Sequence, residues 1–179
     1  MRALAILAAL CLLIFGVFAG VRAAQEKKPA LSPPAKASCD LAGGKTLTVD
    51  YSSPRMKGRK IFGGLVPYGE VWRAGANEAT TFVTDSDVSV GGKLIPAGAY
   101  TLFTIPDKDK WTLIISKKTG EWGVPYPGAE FDFARVDMTA STLPSSLDNF
   151  TIAFDKNPDG CVMRMDWETT RASVDIAKK

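Results

Sequence analysis

The sequence predicts an all-β fold: a single antiparallel β-sandwich-like (or barrel-like) domain with long ordered loops. Three observations predict it. Apolar and polar residues alternate with period two in segment after segment. Clusters of Gly, Pro, Asp and Asn separate these segments at regular spacing. After the first 38 residues, no stretch longer than about ten residues carries a helical apolar period.

Taken in order, residues 1–23 read as a secretory signal peptide. Arg2 gives a charged start, residues 3–18 are a continuous apolar run, and Val21-Arg22-Ala23 leaves small residues at the cleavage positions. The run is short for a span, and no strongly positive stop-transfer flank follows it. Leu10 before Cys11 does not fit a lipoprotein signal. The expectation is an exported protein, periplasmic or secreted, with no membrane span after cleavage. Residues 24–38, AQEKKPALSPPAKAS, are rich in Ala, Pro and Lys and lack an apolar face, so they read as a flexible linker. Residues 39–177 are left as one β-rich domain, long enough to bury a core.

Within it, Leu47, Val49 and Tyr51 alternate with Thr48, Asp50 and Ser52. Residues 100–105 (YTLFTI) and 111–115 (WTLII) are apolar enough to be central strands. Phe150, Ile152 and Phe154 alternate again, as do Cys161, Met163, Met165 and Trp167, and Val174 and Ile176 close the series. Shorter runs at 81–84, 88–90 and 131–137 fit edge strands. Gly91-Gly92, Pro96-Ala97-Gly98, Asp107-Lys108-Asp109 and Pro158-Asp159-Gly160 supply turns. An irregular region at 119–130 holds Trp122, Gly123, Pro125, Tyr126 and Pro127 and is expected to fold over the longer loop at 54–81.

The chain has 22 basic and 19 acidic residues. Without Arg2 and Arg22 the excess falls from +3 to +1, so charge gives no argument for nucleic acid or an anionic membrane. Cys39 and Cys161 remain after cleavage, and export makes a disulfide between them possible. Two free thiols, with Cys161 a small core residue, is the alternative.

There is no histidine. That removes Ser-His-Asp and Cys-His nucleophiles, His general bases and His metal sites. Gly64 and Gly69 have the spacing of a phosphate loop, but Glu70 stands where its lysine belongs and Val71 where its Ser or Thr belongs. No cofactor is expected.

Residues 54–81 fit no simple period and contain five glycines and five basic residues. A segment this long must satisfy its own backbone polar groups. Trp72, Arg73, Asn77 and Glu78, with Arg55, Lys57, Arg59 and Lys60 upstream, offer flat faces, charged forks and directional donors and acceptors. With Tyr68 and Trp122 they could line a polar-ligand site. They also suit a clasp, in which Arg73 pairs with Glu78 and Trp72 plugs the core. The upstream basic cluster reads either as a solvated loop or as an anion site.

Asp155, Asn157 and Asp159, with Gly160 and Asp166, match part of a calcium loop. No helix is expected to flank them, and residues 161–168 alternate as a strand, so a hairpin turn is the plainer reading. Carboxylates for glycoside hydrolysis are present, but no spacing selects a pair.

The stretch Val49-Asp50-Tyr51-Ser52, then residues 58–73 (GRKIFGGLVPYGEVWR), Gly75-Ala76-Asn77-Glu78-Ala79-Thr80, and residues 92–105 with Pro96-Ala97-Gly98 resembles a bacterial family of secreted proteins known as domain of unknown function 2911. Trp122-Gly123 and Trp167-Glu168 sit where that pattern puts them. The resemblance implies an exported, single β-rich domain and no assigned activity. It places Arg59, Trp72, Arg73, Asn77 and Glu78 in the family's motif.

The functional expectation is a non-catalytic binding or accessory domain of the bacterial envelope. It would recognise a small polar ligand or saccharide through residues 72–78, or an envelope protein. A hydrolase using Glu78 or Glu70 as base, and a purely structural or protein-interaction domain, are the alternatives.

Overall fold

A computed structural model describes residues 31–179. The expected signal peptide and residues 24–30 of the expected linker lie outside the described residues. Nine strands follow in chain order: β1 (Pro34–Leu41), β2 (Lys45–Ser52), β3 (Thr80–Thr84), β4 (Val88–Val90), β5 (Lys93–Ile95), β6 (Gly98–Ile105), β7 (Lys110–Ser116), β8 (Asp132–Asn157) and β9 (Gly160–Lys178). One turn of 3-10 helix, Ala129–Phe131, precedes β8. The strands form one sheet in the order β1-β2-β3-β6-β7-β8-β9-β4-β5, every pairing antiparallel.

The sheet is not closed into a barrel, because β1 and β5 at its two ends do not pair. It folds over itself instead, and β1 lies against β8 and β9. A Cys39–Cys161 disulfide fastens that contact, with Cα atoms 6.4 Å apart across 122 residues of sequence. Both cysteines are buried in the main core, so the bridge and the apolar packing hold the same two layers together.

The two strands read as central are central. Thr101, Leu102, Phe103 and Thr104 of β6 are all buried, as are Leu113 to Ser116 of β7. One face of these strands meets the main core through Leu102, Leu113 and Ile115. The other buries Phe103 and Ile114 beneath Ala79, Val71 and Tyr126, which come from the loops. Buried on both faces, a strand needs no alternation, which is why these two read as continuous apolar runs.

The structure corrects three expectations about elements. Residues 34–38, expected in the linker, are the first half of β1 and pair with residues 48–52. Their Pro, Ala, Lys and Ser have little strand propensity of their own, and β2 supplies the ladder they join. The runs at 81–84, 88–90 and 131–137 are not edges: β3 lies between β2 and β6, β4 between β9 and β5, and β8 between β7 and β9. The segments around residues 131–137 and 150–154 are one 26-residue strand, which bends through register shifts between Thr142, Leu147 and Thr151.

Candidate functional site

The loop from 53 to 79 is an ordered structure without regular elements. Backbone bonds and small side chains tie it to the sheet at both ends. The Ser53 hydroxyl donates to the Phe150 carbonyl at 2.6 Å, and the Met56 N–H donates to the Asp148 carbonyl at 2.6 Å. Residues 60–66 close a tight turn through Gly64 N–H to Ile61 O, Leu65 N–H to Lys60 O and Val66 N–H to Ile61 O. Gly63 has φ 73°, and a Cβ there would stand 2.8 Å from the Tyr68 ring, so the site requires glycine. Further on, Trp72 and Thr104 exchange two backbone hydrogen bonds of 2.7 Å, which adds a one-residue bridge beside β6.

Trp72 is partly buried and packs against the core. Its ring stacks on Trp167 at 5.8 Å and 19°, and meets Phe150 edge-on at 5.0 Å. Phe62, itself 4.8 Å from Trp111, completes the cluster. Each such pair adds about 0.5–1.5 kcal/mol beyond simple burial. Trp72 is the plug that the clasp reading expected.

Asn77 is a clasp as well. Its Nδ2 donates to the Ser32 carbonyl at 3.1 Å and to the Ser52 hydroxyl at 3.2 Å, joining the N-terminal segment to the end of β2. It does so from φ 57°, a left-handed conformation that Asn tolerates better than most residues. Ala74 at φ 50° makes the same kind of turn three residues earlier, and its carbonyl accepts the Thr80 hydroxyl at 2.8 Å.

The expected Arg73–Glu78 ion pair is not formed: no such pair lies within 4.0 Å among the described residues. The guanidinium turns to the second loop. Its carbon lies 5.9 Å from the centre of the Trp122 ring, and Nη1 donates to the Trp122 carbonyl at 3.4 Å. Partial burial lowers the Arg73 pKa from its usual value, and the Glu78 charge opposes that shift.

Loop 119–130 folds over the first loop as expected. Ala79 N–H donates to Glu121 O at 3.0 Å. Gly123, at φ 83°, passes so close that a Cβ would lie 2.9 Å from the Ala79 methyl and 3.0 Å from Arg73 Cβ. Trp122 is left 55% exposed beside Arg73, and Glu78 is exposed. A pair between Lys118 and Glu121 at 3.6 Å stands at the base of the second loop.

Of the seven residues expected to share one site, the structure joins Arg73 and Trp122 directly. Glu78 acts on Arg73 through its charge. Trp72 and Asn77 support the loop from within. Among the described residues, no hydrogen bond or ring contact joins Tyr68 or Arg59 to the Arg73–Trp122 pair. Tyr68 covers Gly63. Arg59 donates through Nε to Met56 O at 3.0 Å and through Nη2 to Arg55 O at 2.8 Å.

Two recesses lie beside this loop. One, of about 200 Å³, is lined by Asp50, Tyr51, Ser52 and Glu78 among others. Its two carboxylates are what a hydrolase would use, but Lys36 across the β1–β2 ladder holds Asp50 at 3.1 Å. The other, of about 370 Å³, is lined by Leu31, Ser32, Arg55, Lys57 and Arg59.

The calcium candidate dissolves into a hairpin. Asn157 pairs with Gly160 across the Pro158-Asp159 turn, and Asp159 N–H donates to Asn157 Oδ1 at 3.1 Å. Asp155 is bound by Arg164 at 2.9 Å. Asp166, only 1% exposed, is held by Arg164 at 2.5 Å and by Arg171 through two bonds of 2.7 and 2.8 Å. Sequence reasoning missed this network, although the basic–acidic alternation in residues 164–171 could have shown it. Among the described residues, no three His, Cys, Asp or Glu side chains gather as a metal centre.

A family model described as a protein of unknown function, DUF2911, matches residues 32–176, most of the chain. No curated protein and no solved structure matches it.

Proposed function

The chain belongs to the DUF2911 family, which is described as being of unknown function, and from that premise we propose that it is an exported, non-catalytic binding domain of the bacterial envelope. It takes a small polar ligand or a saccharide on the surface made by Trp122, Arg73 and Glu78. The observation that carries this reading is the indole of Trp122, 55% exposed and lying against the Arg73 guanidinium.

A tryptophan is mostly buried when its role is packing, and three others in this chain are. An exposed indole gives a flat apolar face for the C–H face of a sugar ring. Arg73 supplies donors aimed from a fixed fork, and Glu78 supplies acceptors. Gly123 and Ala79 lock the two loops together, so the surface is preformed and its ordering cost is met in folding. The Cys39–Cys161 bridge suits an oxidising compartment and supports export together with the expected signal peptide.

The test is thermal unfolding of the wild type and of Trp122→Ala with a panel of neutral sugars, sugar acids and small carboxylates. A ligand at about 100 times its dissociation constant stabilises by roughly 2.7 kcal/mol. The expected result is a raised melting temperature in wild type that is absent in Trp122→Ala, with equal unliganded stability. An unmoved wild type across the panel, or equal shifts in both proteins, overturns the reading.

A further inference from the structure

The recess lined by Arg55, Lys57, Arg59, Leu31 and Ser32 shares no residue with the Trp122, Arg73 and Glu78 surface and plays no part in that reading. Three of its five lining residues are cations, and no carboxylate lines it. Among the described residues, none of the three makes an ion pair within 4.0 Å. Cations on a surface usually alternate with acids or point apart, because like charges at close range repel. Here the chain holds them together.

The means of holding them are visible. Arg55 Nη1 donates to the Ser53 hydroxyl at 2.7 Å and the Ser53 carbonyl at 3.2 Å. Arg59 donates to the carbonyls of Met56 and Arg55. These acceptors are neutral, so they fix both forks in place without cancelling their charge. The remaining N–H donors of both guanidinium groups have no acceptor among the described residues. Lys57 sits at φ 50°, an uncommon conformation for a lysine, and Asp148 Oδ1 accepts its N–H at 2.9 Å. Asp148 is engaged there with the backbone, and among the described residues it makes no ion pair within 4.0 Å with Arg55, Lys57 or Arg59. One wall is fixed by Asn77, whose amide holds the Ser32 carbonyl.

We propose that this recess is a binding site for a phosphoryl group, carried either by a soluble phosphate ester or by an anionic lipid headgroup. Two guanidinium forks suit the oxygens of a tetrahedral anion, and the Lys57 ammonium adds a mobile point charge. The volume, about 370 Å³, exceeds a bare phosphate and leaves room for the group that bears it. Leu31 gives one rim an apolar contact.

The experiment titrates the exported protein with inorganic phosphate, following the melting temperature and the heat of binding. Sodium chloride at matched ionic strength is the control. A parallel arm sediments the protein with vesicles of phosphatidylcholine, with and without phosphatidylglycerol. Two variants accompany the wild type. Lys57→Gly removes a charge where glycine relieves the backbone, so it folds. Arg59→Gln removes a second charge.

The expected result is a phosphate-dependent shift in wild type beyond that of chloride, with affinity at least about tenfold lower in each variant, the loss of one charge-assisted contact. Sedimentation only with phosphatidylglycerol, lost in the variants, assigns the lipid source. Phosphate binding without sedimentation assigns the soluble source. Equal shifts from phosphate and chloride with no vesicle binding, or variants that bind as the wild type does, overturn the proposal.

Discussion

The Asn77 amide donates to the Ser32 carbonyl at 3.1 Å, a bond spanning 45 residues of sequence. The same amide reaches the Ser52 hydroxyl. One side chain therefore ties the start of the described chain and the end of β2 to the loop that leads into β3. Asn77→Ala removes both bonds and places a Cβ-bearing residue without local hydrogen bonding at φ 57°. The expected loss is about 1–3 kcal/mol by denaturant unfolding. Asn77→Gly keeps the backbone at ease and loses less, and an Ala variant as stable as the wild type would show the clasp to be idle.

Trp72 and Trp122 belong to the same two interlocked loops but have opposite environments. Trp72→Ala opens a hole beside Trp167 and Phe150, and the expected cost is about 3–5 kcal/mol. Trp122→Ala removes an exposed ring and stays within about 0.5 kcal/mol of wild type. Chemical denaturation of the two variants side by side checks this. Equal losses would mean that Trp122 also carries packing.

The bridge between Cys39 and Cys161 closes a loop with a sequence separation of 122 residues. For a loop of that size the chain-entropy model gives about 4–5 kcal/mol, and measured effects are commonly about 2–4. The Cys39→Ala/Cys161→Ala double variant should lose roughly that much in a urea titration. A loss below about 1 kcal/mol would show that packing of β1 on β8 and β9 suffices without the bond.

Tyr126 donates its hydroxyl proton to Asp132, which Arg135 also holds at 2.7 Å. Burial first, and the Asp132 hydrogen bond second, push the Tyr126 pKa up to about 12. An unfolded tyrosine loses its proton near pH ~10. The folded state thus keeps the proton more tightly than the unfolded one. Its contribution is whole below about pH 10 and is lost as pH rises through about 12. Tyr126→Phe should lower stability at neutral pH by about 1 kcal/mol and flatten its fall across that alkaline window. Identical alkaline profiles would rule out this role.

Much of the sheet was legible because strand periodicity reports burial directly. Leu47 and Val49, or Met163 and Met165, show their inner face by alternation, and residues 100–105 show their burial on both faces by its absence. Strand β1 was not legible. Its residues take their conformation from β2 and the cystine rather than from their own preference. The site was legible in residue types and not in their directions. Trp72 and Trp122 are the same residue to a reader of sequence, and only the fold buries one. Arg73 and Glu78 invite pairing by charge, but the intervening backbone turns through left-handed positions at Ala74 and Asn77. No spacing rule describes a path of that kind.

The cystine also makes the chain a covalent ring from Cys39 to Cys161, and both exposed loops lie on that ring. A protease that cuts once at residues 57–60 or 117–122 would therefore release nothing. The two pieces would stay joined through sulfur, with the sheet between them still paired. Such a nick should be visible on a gel only after reduction. These exposed loops are thus places where the molecule can lose a bond and still survive as one particle.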